Sequence, residues 1–174
     1  MVSYKRATTA QNGALYTPEQ RLKRDSSPWT LVQAILAPLQ FAVFLISLVL
    51  VLRYLFTGEG YVAATWSIIA KTCALYLIMV TGSLWEHAVF GQYLLAPAFF
   101  WEDMVSFVVI ALHTLYLFGL LTGWIAPFDL MMIALLAYAT YVVNAAQFLL
   151  KLRAARREGR GRIGLAPSGM EAGA

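Results

Sequence analysis

Cysteine is almost missing from this chain. Cys73 is the only one, so no intrachain disulfide can form, and one subunit cannot build a multi-thiolate zinc or iron–sulfur site. The lone thiol is expected to be a small buried apolar side chain rather than a nucleophile. Histidine is nearly as scarce, at two. That allows bis-histidine ligation of one haem at most, and His87 and His113 are poorly matched to opposite faces of one macrocycle, which leaves a five-coordinate metal centre as the better use of either. No P-loop, dinucleotide glycine fingerprint, HExxH or GxSxG elbow occurs. Charge is thin as well: 13% of the 174 residues are charged against 60% hydrophobic, with a mean hydropathy of +0.68. That balance is far from a soluble globular domain, and the bilayer is the solvent it fits.

The charge that is present is mostly basic, for a net +4, but its placement does not suit a nucleic-acid binder. Lys5, Arg6, Arg21, Lys23 and Arg24 precede the first apolar run. Lys151, Arg153, Arg156, Arg157, Arg160 and Arg162 follow the last, and only Arg53 and Lys71 lie between. The positive-inside rule then puts both termini in the cytoplasm, which requires an even number of spans. Each basic residue near an anionic headgroup surface adds on the order of 1 kcal/mol of attraction.

Residues 1–28 form a polar basic tail that contains Pro18 and Pro28 and lacks the early apolar core of a cleavable signal peptide, so the first span serves as an uncleaved anchor. Residues 31–52 are uncharged, opened by Trp29 and closed by Arg53, with Pro38 expected to kink them. Thr57-Gly58-Glu59-Gly60 is a turn, and Lys71 is the one charge between Glu59 and Glu86. Residues 104–128 carry only His113, and 130–150 carry nothing ionised. The expected fold is an all-α integral membrane four-helix bundle over 29–153, with spans at about 30–55, 62–86, 102–123 and 128–150. Residues 88–101, AVFGQYLLAPAFFW, are too short to cross and are broken by Gly91 and Pro97, so an interfacial or re-entrant segment is expected between helices 2 and 3. Residues 154–174 read as a basic tail, disordered where Gly, Ala and Pro dominate.

An ionisable side chain inside a span costs several kcal/mol unless it is paired or solvated. Lys71, Glu86, His87, Glu102, Asp103 and His113 therefore each need a reason. The topology brings Glu86, His87, Glu102 and Asp103 to one cytoplasmic layer. Asn144 and Gln147, at i and i+3, share a face there, and Gln33 and Gln40 come from the first span. Helix-end solvation and interhelical hydrogen bonds explain the amides. They explain the acids less well: adjacent carboxylates repel, a bundle needs no such pair for stability, and their meeting leaves a proton donor available. His113 shares a face with Glu102, about 16 Å further along the helix at 1.5 Å per residue, and so lies near the midplane. Lys71 is also near mid-depth, where it needs a partner or loses its charge.

Five stretches, YTPEQRLKRD, WTLVQAILAPLQF, RYLFTGEGY, WEHAVFGQYLLAPAFFWED and AYATYVVNAAQFLLKLR, resemble the vinyl bacteriochlorophyllide hydratase family of bacteriochlorophyll biosynthesis in phototrophic bacteria. The resemblance implies a hydro-lyase of the bacterial inner membrane that adds water to the 3-vinyl group of chlorophyllide a or 3-vinyl bacteriochlorophyllide a, giving a 3-(1-hydroxyethyl) product. It implies no cofactor, since the Mg is carried by the chlorin, and no protein metal site. Its partners are the chlorin substrate and the lipid bilayer, with other enzymes of the pathway and a second copy of the chain as further possibilities, and no nucleic acid. It assigns no residue a role. Vinyl hydration needs an acid for the terminal carbon and a base for water, which Glu86, His87, Glu102 and Asp103 can supply. Tyr93, Phe100, Trp101, His113, Asn144 and Gln147 are the candidate substrate contacts, with His87 or His113 as axial ligand of the substrate Mg. A tetrapyrrole-binding or photosystem-assembly protein without catalysis would use the same aromatic and imidazole groups, and a transporter or proton relay would use Lys71, His113 and Glu102.

Overall fold

The computed structural model describes residues 15–163, and of 157–163 the backbone alone. Lys5 and Arg6, the side chains of Arg157, Arg160 and Arg162, and the Gly/Ala/Pro-rich end expected to be disordered lie outside the described residues. Five helices follow one another: α1 Pro18–Ser26, α2 Pro28–Thr57, α3 Tyr61–Phe90, α4 Phe100–Thr122 and α5 Pro127–Ile163. Among the described residues there is no strand.

Helix α1 lies within the stretch expected to be a polar tail, and its cause is local. Thr17 caps it: the hydroxyl oxygen accepts from Gln20 N at 3.1 Å, and Gln20 Oε1 accepts from Thr17 N at 2.9 Å, with Pro18 at the first helical position. Such a reciprocal box satisfies two otherwise orphaned donors.

The other four helices are long and apolar enough to cross a membrane, with mean hydropathies of 2.6, 1.6, 2.2 and 1.6 over their most apolar windows. A helix of 30 residues is about 45 Å long, more than the roughly 30 Å of hydrocarbon, so its ends reach beyond the apolar layer. Helix α2 passes through Pro38 without a break. It reverses into α3 through Gly58 and Gly60, whose positive φ of 74° and 86° suits residues without a Cβ. The chain is thus a multi-pass membrane protein.

The helices pack as two close hairpins, α2 with α3 and α4 with α5, joined through α2–α5 and α3–α4 contacts. Phe44, Val51, Ile68, Leu75, Val109, Tyr116, Met131 and Tyr138 form the central core. Small residues let α4 and α5 approach: Ala134 and Ala137 are fully enclosed, and a Cβ on Gly119 would meet Ile125 Cδ1 at 2.5 Å. The outer face is apolar, with Leu31, Ile35, Ile46, Val49, Leu121 and Leu136 exposed. In water this would be an aggregation surface, and in lipid it is the contact surface. Cys73 lies on this outer face and not in the core where the sequence put it. A thiol next to lipid has no need of burial against protein.

Both described ends of the chain sit at one end of the bundle, the tail end. A second apolar cluster there joins α1, α3, the α3–α4 connection and α5 through Tyr16, Trp85, Val89, Phe90, Phe99 and Phe148. Trp85 Nε1 donates to Thr30 Oγ1 at 3.0 Å, and Gln33 Nε2 to Thr81 Oγ1 at 2.7 Å, fixing α2 against α3.

Candidate active site

Helix α3 ends and α4 begins at the tail end, and each contributes one carboxyl group to the same spot. Glu86, 5% exposed, sits in the last turn but one of α3, and Asp103, 3% exposed, in the first turn of α4. The two groups are brought together by successive backbone donors of the α3–α4 connection, each of which binds one of them. Two buried carboxyl groups held close favour one shared proton over two negative charges, which suits such a pair to act as acid and base.

The connection over residues 91–99 folds back onto this pair. Leu95 N donates to Asp103 Oδ2 at 2.7 Å and Ala96 N to Glu86 Oε2 at 3.2 Å. These consecutive N–H groups converge because Leu95 adopts the left-handed conformation, with φ 60°. A branched apolar residue is rare there, at a cost of about 1–3 kcal/mol, and such outliers gather at functional sites. Ala96 is fully enclosed, so the connection roofs the pair.

Glu102 does not join them. It lies about 100° round the helix from Asp103 and turns to α5, where Lys151 Nζ is 2.5 Å from its Oε2. Lys151 also donates to the Ala98 carbonyl and stands 5.0 Å from the centroid of the Phe99 ring.

His87 points away from its neighbour Glu86 to the exposed side and stacks on Tyr93, with ring centroids 4.2 Å apart. Phe100 and Trp101 also face outward, edge to face at 5.4 Å, while Phe99 turns in. One turn beyond Asp103, Ser106 Oγ accepts from Asn144 Nδ2 at 2.8 Å. Asn144 Oδ1 and Gln147 Oε1 are buried without a hydrogen-bond partner. His113 is enclosed in the middle of α4, well away from the pair.

Four participants escaped the sequence. Lys151 had been counted with the basic tail, although it lies at i+4 and i+7 from Gln147 and Asn144 and so shares their face, a usable signal. Ser106, at i+3 from Asp103, could have been found the same way. The backbone donors of Leu95 and Ala96 leave no mark in composition. Among the described residues no three His, Cys, Asp or Glu side chains group to hold a metal ion. The spot is a pair of buried carboxyl groups under a short roof of backbone donors, a layout open to chemistry that moves one proton in and one out.

No solved structure matches the chain. A curated 2-vinyl bacteriochlorophyllide hydratase of Rhodobacter capsulatus is 69% identical over 144 residues, 82% of this chain and 83% of the relative. One of Cereibacter sphaeroides is 68% identical over 148 residues, 84% of this chain and 91% of the relative. The family model for 2-vinyl bacteriochlorophyllide hydratase matches residues 16–154, from the tyrosine packed beside α1 to just past Lys151. With the carboxyl pair, its roof and all four spans inside that match, the chain belongs to the 2-vinyl bacteriochlorophyllide hydratase family.

Proposed function

We propose that this chain hydrates the ring vinyl group of a chlorophyllide or vinyl bacteriochlorophyllide, giving a 1-hydroxyethyl group, and that Glu86 and Asp103 are its acid and base. The observation that carries this reading is the enclosed pair: two buried carboxyl groups bound by consecutive backbone donors of Leu95 and Ala96. One carboxylic acid gives its proton to the terminal vinyl carbon. Positive charge develops on the adjacent carbon, spreads into the macrocycle and is stabilised by the carboxylates. Water adds to that carbon and loses a proton to the pair, which returns to its starting count. Atoms and charges balance, and neither reductant nor oxidant takes part.

The flat apolar macrocycle enters from the lipid side past the outward-facing Phe100 and Trp101, and the roof shifts to admit the vinyl group. His87, exposed beside Tyr93, is the better axial ligand for the substrate Mg. His113 is about 16 Å along α4 from Glu102 and walled in. Asn144 and Gln147 offer unpartnered carbonyl oxygens on the bundle side of the pair, while Glu102, bound to Lys151, holds the shape of the site. The excess of Lys and Arg flanking the spans favours a cytoplasmic tail end of a bacterial inner-membrane protein, where that basic rim suits the free propionate of the chlorin.

The test is direct. Purified protein is given chlorophyllide, and the product is followed by mass for the gain of one water and by absorption for loss of vinyl conjugation. Wild type is expected to hydrate, while Glu86→Gln and Asp103→Asn are expected to do so far more slowly. Undiminished turnover in both variants would remove the pair from the mechanism, and no water gained by the wild type would remove the reaction.

A further inference from the structure

Two polar groups in the middle of the bundle lack partners, and they are complementary. Lys71 of α3 is 0% exposed, and its Nζ has no hydrogen-bond partner, only the face of the Tyr141 ring at 3.6 Å. His113 of α4 is 1% exposed, and its Nδ1 lies 2.8 Å from the Val109 carbonyl oxygen. A carbonyl only accepts, so Nδ1 carries the hydrogen, and in the neutral ring Nε2 presents a lone pair. That Nε2 also has no partner. Both side chains lie against α5, Lys71 on the Tyr141 ring and His113 beside the Tyr138 ring with centroids 5.9 Å apart, and both tyrosines pack on Phe44.

What fills such a place must accept from an amine and donate to an imidazole. A metal cation is disfavoured beside Lys71, and a simple anion has no hydrogen to give His113 Nε2. The groups packed around, Ile68, Leu75 and Val109, are apolar and fully or almost fully enclosed, which leaves no opening for a ring. Tyr138 beside His113 is already engaged: its hydroxyl bonds Ser47 Oγ at 2.5 Å, and Ser47 bonds Ser67 Oγ at 2.7 Å. The acidic side chains of the described residues belong to the helix ends and connections, so no carboxylate meets Lys71. A buried donor or acceptor left unmade costs about 1–3 kcal/mol, and ordered water is the usual remedy. The unpartnered groups continue toward the carboxyl pair. Asn144 and Gln147 follow Tyr141 on α5 at i+3 and i+6, about 4.5 and 9 Å along the axis, each with a buried unpartnered carbonyl oxygen.

We propose that the bundle interior is a water site, with ordered water held between Lys71 Nζ and His113 Nε2 and continuing past Asn144 and Gln147, as an internal store of the water that the reaction at Glu86 and Asp103 consumes. The store's use rests on the proposed hydration; the water site itself does not.

Full-length protein in lipid bilayers, labelled with ¹⁵N-histidine, tests the site by solid-state NMR transfer of magnetisation from water to the imidazole nitrogens. The two histidines give two sets of signals, and the His87→Gln variant identifies those of His113. Transfer to His113 is expected in the otherwise wild-type protein, several-fold weaker in Lys71→Met and largely retained in Lys71→Gln. No transfer to His113 in the wild-type protein would overturn the proposal without any variant, and so would undiminished transfer in a folded Lys71→Met. Assaying the wild-type sample for hydration separates the two ideas. A wet interior without turnover keeps the site and sinks the reaction, and turnover with a dry interior does the reverse.

Discussion

Lys151 of α5 places its ammonium 2.5 Å from the carboxylate of Glu102 on α4 and bonds the Ala98 carbonyl in the connection between α3 and α4. One side chain thereby ties the last span to the roof of the carboxyl pair. Lys151→Met leaves Glu102 enclosed without a counter-ion. The expected loss is about 2–3 kcal/mol, below the roughly 3–5 of a fully buried pair, because the Lys151 side chain keeps 24% exposure. Thermal unfolding in detergent micelles reads it. Adding Glu102→Gln to that variant should recover most of the loss, since the uncompensated charge goes with it. Equal instability in the double variant would mean that Lys151 acts through packing alone.

If Glu86 and Asp103 act as the proposed acid and base, they should fail as a unit. Each amide substitution is expected to lower turnover about a hundred- to ten-thousand-fold, the usual range for a general acid or base. The double variant should be little worse than either single one, as for catalytic groups that act together. Multiplicative losses in steady-state rates would instead assign the two carboxyls to separate tasks.

Leu95 carries its strain at an exposed position, so relief and burial can be told apart. Leu95→Gly removes the left-handed penalty and is expected to hold or raise the unfolding midpoint. Leu95→Val, β-branched in the same conformation, is expected to cost about 1–3 kcal/mol. If both lower the midpoint equally, the side chain matters more than the backbone.

Tyr16 fastens α1 to the bundle. It is enclosed between Phe90, with ring centroids 5.9 Å apart, and Phe99, at 6.4 Å. Tyr16→Ala should cost about 3–5 kcal/mol of docking and let protease cut within α1 while the spans keep their helicity. Burial pushes the Tyr16 phenol above its ordinary 10.0, against a smaller opposing pull from Arg24. The sign follows: the docked state favours the neutral phenol, so this contribution is intact below pH 10.0 and is lost as pH rises through the raised value. Faster cleavage of α1 in wild type at high pH, with no such dependence in Tyr16→Phe, is the expected pattern.

The number and order of the spans were legible because long uncharged runs permit little else in lipid, and meeting of helix ends followed from topology alone. Rotation about each axis was not legible. Glu102 and Asp103 are adjacent, yet one faces Lys151 and the other Glu86, because neighbouring helical residues point about 100° apart. His87 was grouped with Glu86 for the same missing reason and is exposed instead. Cys73 was assigned to a core by its chemistry, but in a membrane the outside is as apolar as the inside. Helix α1 could have been read from Thr17, Pro18 and Gln20, whose spacing is that of a capping box, had polarity not suggested a tail.

The roof over the carboxyl pair has a thermodynamic consequence. Leu95 and Ala96 occupy with their own amides the oxygens that a reacting vinyl group and water must reach. The protein is in this sense its own competitive inhibitor: the measured affinity for a chlorin is the difference between binding the ring and releasing two backbone donors. A donor-bearing analogue that reproduces those two amides would gain what the substrate has to give up, and could hold the enzyme open and idle.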